Sequence, residues 1–265
     1  ISMFEFVNKN RAYVKSLQLK IGVRDDGVAG KNTLKAAEEF YDSQVIAHKG
    51  QIVPIDFDGK INHNYSLYKL PDGTKNHYVR KTPIDNIVVH WGGLNPLHCY
   101  QVFFNPKYAH TSSHFLIGRN TRNGEMEVFQ CLDTGLAAYH AGKANKQSIG
   151  IDICMHPMVK YWDKTKEYYP GAQIVKNSSK RGPQGDIVDI DPELADLSNR
   201  FLKALNEVCE LTHKPVCRDE NVYNLNDAKK FSILGHHNFS KQKWDVIPWA
   251  DRLYHNIEND NDEYC

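Results

Sequence analysis

The chain has 265 residues and a formal net charge of +1, enough length for one large domain or for a domain plus a small module. Balanced charge and the lack of a basic tract argue against a nucleic-acid partner. No apolar run approaches the ~20 residues needed to span a membrane.

The first predicted elements are two short helices around a turn, over residues 13–41. Val14, Leu17, Gln18 and Ile21 make one helical face, and Gly22 is a natural stop. Asp26-Gly27 and Gly30 punctuate the connection, and Asn32 or Thr33 can cap a second helix bearing Leu34, Ala37, Phe40 and Tyr41. The run Leu17-Gln18…Asp26-Gly27-Val28-Ala29-Gly30-Lys31-Asn32-Thr33 resembles the small helical peptidoglycan-binding domain carried by many wall hydrolases. The resemblance implies a wall-binding module over residues 1–45. Residues 46–82 read as a connecting segment, with turns at Pro54, Asp58-Gly59 and Pro71-Asp72-Gly73. The short β-like runs between them are Gln51–Val53 and Tyr65–Tyr68.

From residue 83 to the C-terminus strand and helix signals alternate, which predicts an α/β domain with a central mixed sheet flanked by helices. Ile87–His90 is a strand and Leu97–Phe104 a helix. His114–Ile117 and Met126–Phe129 form a hairpin through Asn123-Gly124, and Ser148–Cys154 is a further strand. Asp191-Pro192-Glu193 starts a helix carrying Leu197, Phe201, Leu205, Val208 and Leu211. Ile233-Leu234 is a strand, and Trp249–Ile257 predicts a closing helix. Residues 155–190 break the rhythm with Tyr161, Trp162, Tyr168, Tyr169 and Arg181. A segment of this length is a functional surface loop or a disordered one; its aromatic content suggests a cleft wall.

The chemistry concentrates in Gly235-His236-His237-Asn238…Lys243-Trp244-Asp245 and in His90. Two histidines and a carboxylate are the ligand set of a catalytic zinc that keeps its fourth position for water. A lysine beside such a site can stabilise an oxyanion. Along its strand His90 shares a face with Val88 and ends at the sheet rim. If residues 243–245 are extended, Lys243 and Asp245 point together and Trp244 points away. His236 and His237 face opposite ways, so one of them binds. Six cysteines without a CxxC pair predict free thiols, with a Cys209–Cys217 disulfide as the alternative.

Residues 84–255 resemble the type 2 family of N-acetylmuramoyl-L-alanine amidases, which includes phage endolysins, recycling amidases and peptidoglycan recognition proteins. The segments that carry the resemblance are Ile87–His90, Ser113–Ile117, Ala138-Tyr139-His140-Ala141-Gly142, Ser148–Asp152 and Gly235…Asp245, in that order. The resemblance implies zinc held by His90, His236 and Asp245, with Lys243 stabilising the tetrahedral intermediate. Asp152 falls where some members carry a catalytic Glu, and is one methylene shorter. Members without that Glu often carry a Tyr where this chain has Ser113. His140 and Tyr139 match the substrate cleft. His114 reads as a core histidine.

The implied reaction is zinc-dependent hydrolysis of the amide between N-acetylmuramic acid and L-alanine in bacterial peptidoglycan. A phage endolysin is the favoured reading, with a non-catalytic recognition protein or a bacterial autolysin or recycling amidase as alternatives. A monomer is expected. The N-terminus lacks a basic region followed by an apolar core, so no signal peptide is expected. The resemblance then implies synthesis in the host cytoplasm and holin-type release to the wall.

Overall fold

The computed structural model describes residues 3–255 and 257. Helices α1 (Arg11–Lys20) and α2 (Lys31–Tyr41) open the chain. The Asn10 side chain caps α1 by accepting from the Tyr13 amide, and Gly22 follows its end with φ of +75°, a conformation glycine adopts without strain. Gln18 is buried as a polar hub rather than as part of an apolar face. Its amide nitrogen donates to Asp26 Oδ1, the Val28 carbonyl and Thr33 Oγ1, and its carbonyl accepts from Gly27 N. That use of Thr33 explains why Gly30, not Asn32 or Thr33, holds the N-cap of α2.

The segment after α2 is more ordered than a connector. Strands β1 (Gln44–His48) and β2 (Gln51–Ile55) pair through Lys49-Gly50, both at positive φ as a tight hairpin requires. Gln130 grips this hairpin, donating to the Ala47 carbonyl at 2.8 Å and accepting from its amide at 2.9 Å. Asp133 accepts from Gly50 N at 3.0 Å. Strand β3 (Ile61–Asn62) joins the central sheet, and β4 (His77–Val79) pairs elsewhere. Tyr65–Tyr68 forms no strand; its side chains pack instead into an apolar cluster.

The remaining elements are β5 (Asn86–Trp91), α3 (Pro96–Phe104), β6 (Phe115–Arg119), β7 (Met126–Gln130), β8 (Leu136–Ala138), β9 (Ser148–Ile153), α4 (Trp162–Tyr168), β10 (Gln173–Lys176), β11 (Asp186–Asp189), α5 (Pro192–Val208), α6 (Leu225–Ala228) and β12 (Ile233–Gly235). The central sheet runs β12-β5-β9-β6-β7-β3, parallel except for the β6–β7 hairpin. This is a mixed α/β fold. Alternation along the strands sorts the two faces. Ile87, Val89, Phe115, Ile117, Ile149 and Ile151 pack with Phe201 and Leu205 of α5, whereas Leu116 packs with Leu97 and Cys99 of α3. The two helices therefore cover opposite faces. Asp191 caps α5, accepting from the amides of Glu193 and Leu194.

Glu127 is a buried carboxylate on β7 that ties the β3 edge to the sheet. It receives Lys60 Nζ at 2.7 Å, the side-chain amides of Asn62 and Asn120 at 2.9 Å each, and that of Asn123 at 2.7 Å. Burial raises its pKa, but these four donors outweigh burial and hold it at about 2.

The predicted closing helix does not form. A 3-10 turn, Ile247–Trp249, is followed by turns over residues 250–255, and the positive φ of Tyr254 (86°) breaks helical continuity. The buried Trp249 anchors this end instead, donating from its indole to the Val188 carbonyl. Five cysteines are free, including Cys209 and Cys217; Cys265 lies outside the described residues. No helix among the described residues is long and apolar enough to cross a membrane.

Candidate active site

The sheet register builds the site. Strands β12 and β5 pair in parallel with Leu234 opposite Val88 and Gly235 opposite Val89, so the next residue, His236, arrives beside His90. On the other side of β5, His90 is in register with Asp152 on β9. All three emerge near the carboxyl ends of parallel strands, where open α/β sheets place their sites. The imidazoles of His90 and His236 have centroids 4.7 Å apart.

Asp245 completes the cluster from the loop after β12. Its carboxylate oxygens lie 3.5 Å from His90 Nδ1 and 3.6 Å from His236 Nδ1. One ligand atom from each of the three residues falls within 4.8 Å of the others. Asp245 Oδ2 is buried with no hydrogen-bond partner among the described residues. A buried carboxylate that faces two imidazole nitrogens and leaves one oxygen unpartnered is what a cation requires and what an empty polar core disfavours. The donors thus suit a divalent metal of the zinc type.

Mutual electrostatics are strong. Burial opposes charge on His90, yet the facing Asp245 carboxylate and the charge of Asp152 raise its pKa. Burial and the neighbouring His90 charge push His236 down to about 3. Burial would raise the Asp245 carboxyl, but the facing His90 and other nearby positive charges lower it. His237 turns away. Its ring folds back over Gly235, where a Cβ would lie 2.2 Å from it, and Nε2 donates to the Asp219 carbonyl at 3.3 Å.

The cluster opens into a cleft of about 360 Å³ lined by Ser113, Tyr139, His140, Asp152, Lys243 and Trp244 among others. Lys243 is exposed at the rim. Trp244 does not point away, as an extended 243–245 run would require; the chain turns at Asp245 (φ 21°), and the Trp244 ring lies 5.8 Å from that of Trp91. Asp152 Oδ2 accepts from the Ser113 hydroxyl. Burial raises the Asp152 pKa, against lowering by His90 and Ser113. Tyr139 borders the cleft with its ring 4.9 Å from His110. His140 also borders it, but both its ring nitrogens are engaged, at 3.0 Å from His90 Nε2 and 3.1 Å from Ser148 Oγ. His114 is fully buried and structural, accepting from Gly150 N and donating to the Leu136 carbonyl.

The segment 155–190 supplies no residue to this cleft. It folds as α4 and the β10–β11 hairpin, whose tip carries Arg181. That guanidinium donates to the carbonyls of Glu220 and His237 at 3.0 Å each, Ser240 at 2.5 Å, and Lys243. Gly182 lies flat against Trp244, where a Cβ would approach to 2.9 Å. The insertion thus clamps the loop that presents His236, Lys243 and Asp245. Nothing in the local pattern marks Arg181, because its partners lie 39 or more residues away. A second half-buried arginine, Arg80, is equally silent in the sequence. It donates to the carbonyls of Thr134, Leu136, Lys146 and Ser148 and braces the approach to β9.

Fold and cleft together define a hydrolase domain with a two-histidine, one-carboxylate centre. Residues 80–182 match the family model of N-acetylmuramoyl-L-alanine amidase. Over those residues the chain is similar to the type 2 amidase family, hydrolases that cut an amide bond of peptidoglycan. No curated protein matches the chain. The family match ends before His236, Lys243 and Asp245, so it is the β12–β5 pairing that joins them to the matched region.

Proposed function

We propose that this chain is a zinc-dependent N-acetylmuramoyl-L-alanine amidase and that it acts as a phage endolysin. The carrying observation is the convergence of His90, His236 and Asp245 around an unpartnered carboxylate oxygen. These three residues would hold the ion. When bound, zinc supplies Lewis acidity and a nucleophile at neutral pH.

The remaining roles fall to side chains around the cleft. Lys243, on the rim, offers its ammonium to the developing oxyanion of the muramoyl–alanine carbonyl. Asp152 takes a proton from the attacking water through Oδ1, since Oδ2 is occupied by the Ser113 hydroxyl. Its raised pKa suits a base. Ser113 holds the shorter Asp side chain in one orientation, offsetting the missing methylene. Tyr139 offers an aromatic face to the glycopeptide.

The endolysin reading is supported by the two-helix N-terminal unit with its Gln18 hub, which resembles a wall-binding module. We further propose a wall-binding module over 1–45 and a catalytic domain over 83–265, joined by a segment over 46–82 that also lends β3 to the central sheet, with the protein acting as a monomer released to the wall by a holin. Digestion of purified sacculi with and without chelator tests the activity. New L-alanine amino termini without new reducing sugars, abolished by chelator and restored by zinc, are expected. New reducing sugars, or cleavage that survives chelation, would overturn the proposal.

A further inference from the structure

We propose that His140 and Ser148 are positioning residues that fix the tautomer of His90, leaving its Nδ1 bare for the ion. This rests on the metal-site reading above. The Ser148 hydroxyl has a single hydrogen. Its Oγ lies 2.7 Å from the Ala144 carbonyl, which can only accept, so the hydrogen goes there. The 3.1 Å contact between Ser148 Oγ and His140 Nε2 then needs its hydrogen from the ring. His140 is therefore protonated at Nε2, and as a neutral imidazole it keeps a lone pair at Nδ1. That lone pair faces His90 Nε2 at 3.0 Å. His90 must donate, and a neutral His90 that donates from Nε2 is bare at Nδ1. Nδ1 is the atom turned toward Asp245.

The backbone fixes the pose of the relay. Ser148 and Gly150 lie on one face of β9, two residues apart. The His140 ring lies directly on Gly150, where a Cβ would meet Cγ of the imidazole at 2.5 Å. The Asn145 side chain accepts from the amides of His140 and Ala141, holding the ring's own backbone. Metal-binding histidines need such a partner on their second nitrogen to set tautomer and ring orientation. Here the partner is a chain of two side chains ending on a carbonyl, so a change at Ser148, which does not touch His90, alters the ligand atom.

Two readouts test this. Nitrogen-15 NMR of the metal-free protein above about pH 8, where ordinary histidines are neutral, shows which ring nitrogen carries the proton. Wild type is expected to show His90 protonated at Nε2 and bare at Nδ1, with mixed tautomers in Ser148→Ala and His140→Leu. Zinc competition with a chromophoric chelator should show His140→Leu weakened by about 10- to 100-fold. His140→Asn, whose carbonyl can accept from His90, should bind about tenfold more tightly than His140→Leu. Protonation of wild-type His90 at Nδ1, or equal zinc affinity in the Leu and Asn variants, would overturn the proposal. A wild-type protein that takes up no zinc would sink the metal-site reading instead, and the ring-nitrogen signals would still decide the tautomer.

Discussion

Replacing Arg181 with alanine should loosen the loop that carries His236, Lys243 and Asp245 while leaving the sheet intact. One guanidinium satisfies four carbonyls of that region. Hydrogen bonds to a charged group contribute roughly 1.5–3 kcal/mol each, but the four do not simply add. Ser240 and Lys243 are partly or fully exposed, so water replaces the arginine there. Glu220 is likewise half-buried; His237 alone is buried, and the loss at its carbonyl is harder to repair. That one unrepaired bond gives roughly 1.5–3 kcal/mol, or about 10- to 10²-fold in the equilibrium holding the loop closed. Two of the three proposed ligands ride on this loop. Zinc affinity falls with the fraction of closed loop, so ~10²-fold is the ceiling for the loss. Hydrogen exchange read by mass spectrometry should show faster exchange over 236–245 with β5 and β9 unchanged, and chelator competition should show weaker zinc binding. Arg181→Lys should recover only part of both, because an ammonium cannot span four diverging carbonyls. Wild-type exchange and affinity in Arg181→Ala would refute the clamp.

Other perturbations separate binding from turnover and report on the fold. Lys243→Ala should keep bound zinc and lose turnover by ~10²-fold or more, as for an oxyanion donor; normal turnover would remove Lys243 from the reaction. Glu127 has a pKa held below its ordinary value, so its stabilisation is fully present above about pH 4.5 and is lost as pH falls toward about 2. Thermal melts of Glu127→Gln should therefore show a lower Tm than wild type at neutral pH, with the gap closing through that acid window. A constant gap would mean that the carboxylate's charge contributes nothing.

The local elements were legible because their signals are short-range. The Asp191 cap and the leucine–phenylalanine stripe of α5, the Asn123-Gly124 hairpin and the alternation of β5 and β9 each depend on neighbours within a few residues. His90, His236 and Asp245 were legible as a chemical set, and the β12–β5 register is what brings them together. What escaped depends on distant partners. Arg181 looked like one charge among many in an aromatic insertion, and its clamp is visible only when 155–190 is folded against 236–245. His140 lines the cleft, but the contacts of its ring nitrogens with His90 and Ser148 depend on the folded sheet and leave no mark in Ala-Tyr-His-Ala-Gly. Trp244 was expected to face away, but the turn at Asp245 brings it to the cleft. The apolar spacing of 249–257 mimicked a helix, whereas a positive φ at Tyr254 interrupts it.

The central claim is that His90, His236 and Asp245 hold the zinc on which amide cleavage depends. Bound zinc per chain, measured by elemental analysis alongside muramoyl–alanine cleavage, tests it in wild type and Asp245→Ala. The account predicts one zinc per wild-type chain and the joint loss of metal and cleavage in the variant. An Asp245→Ala protein that retains full cleavage would contradict it.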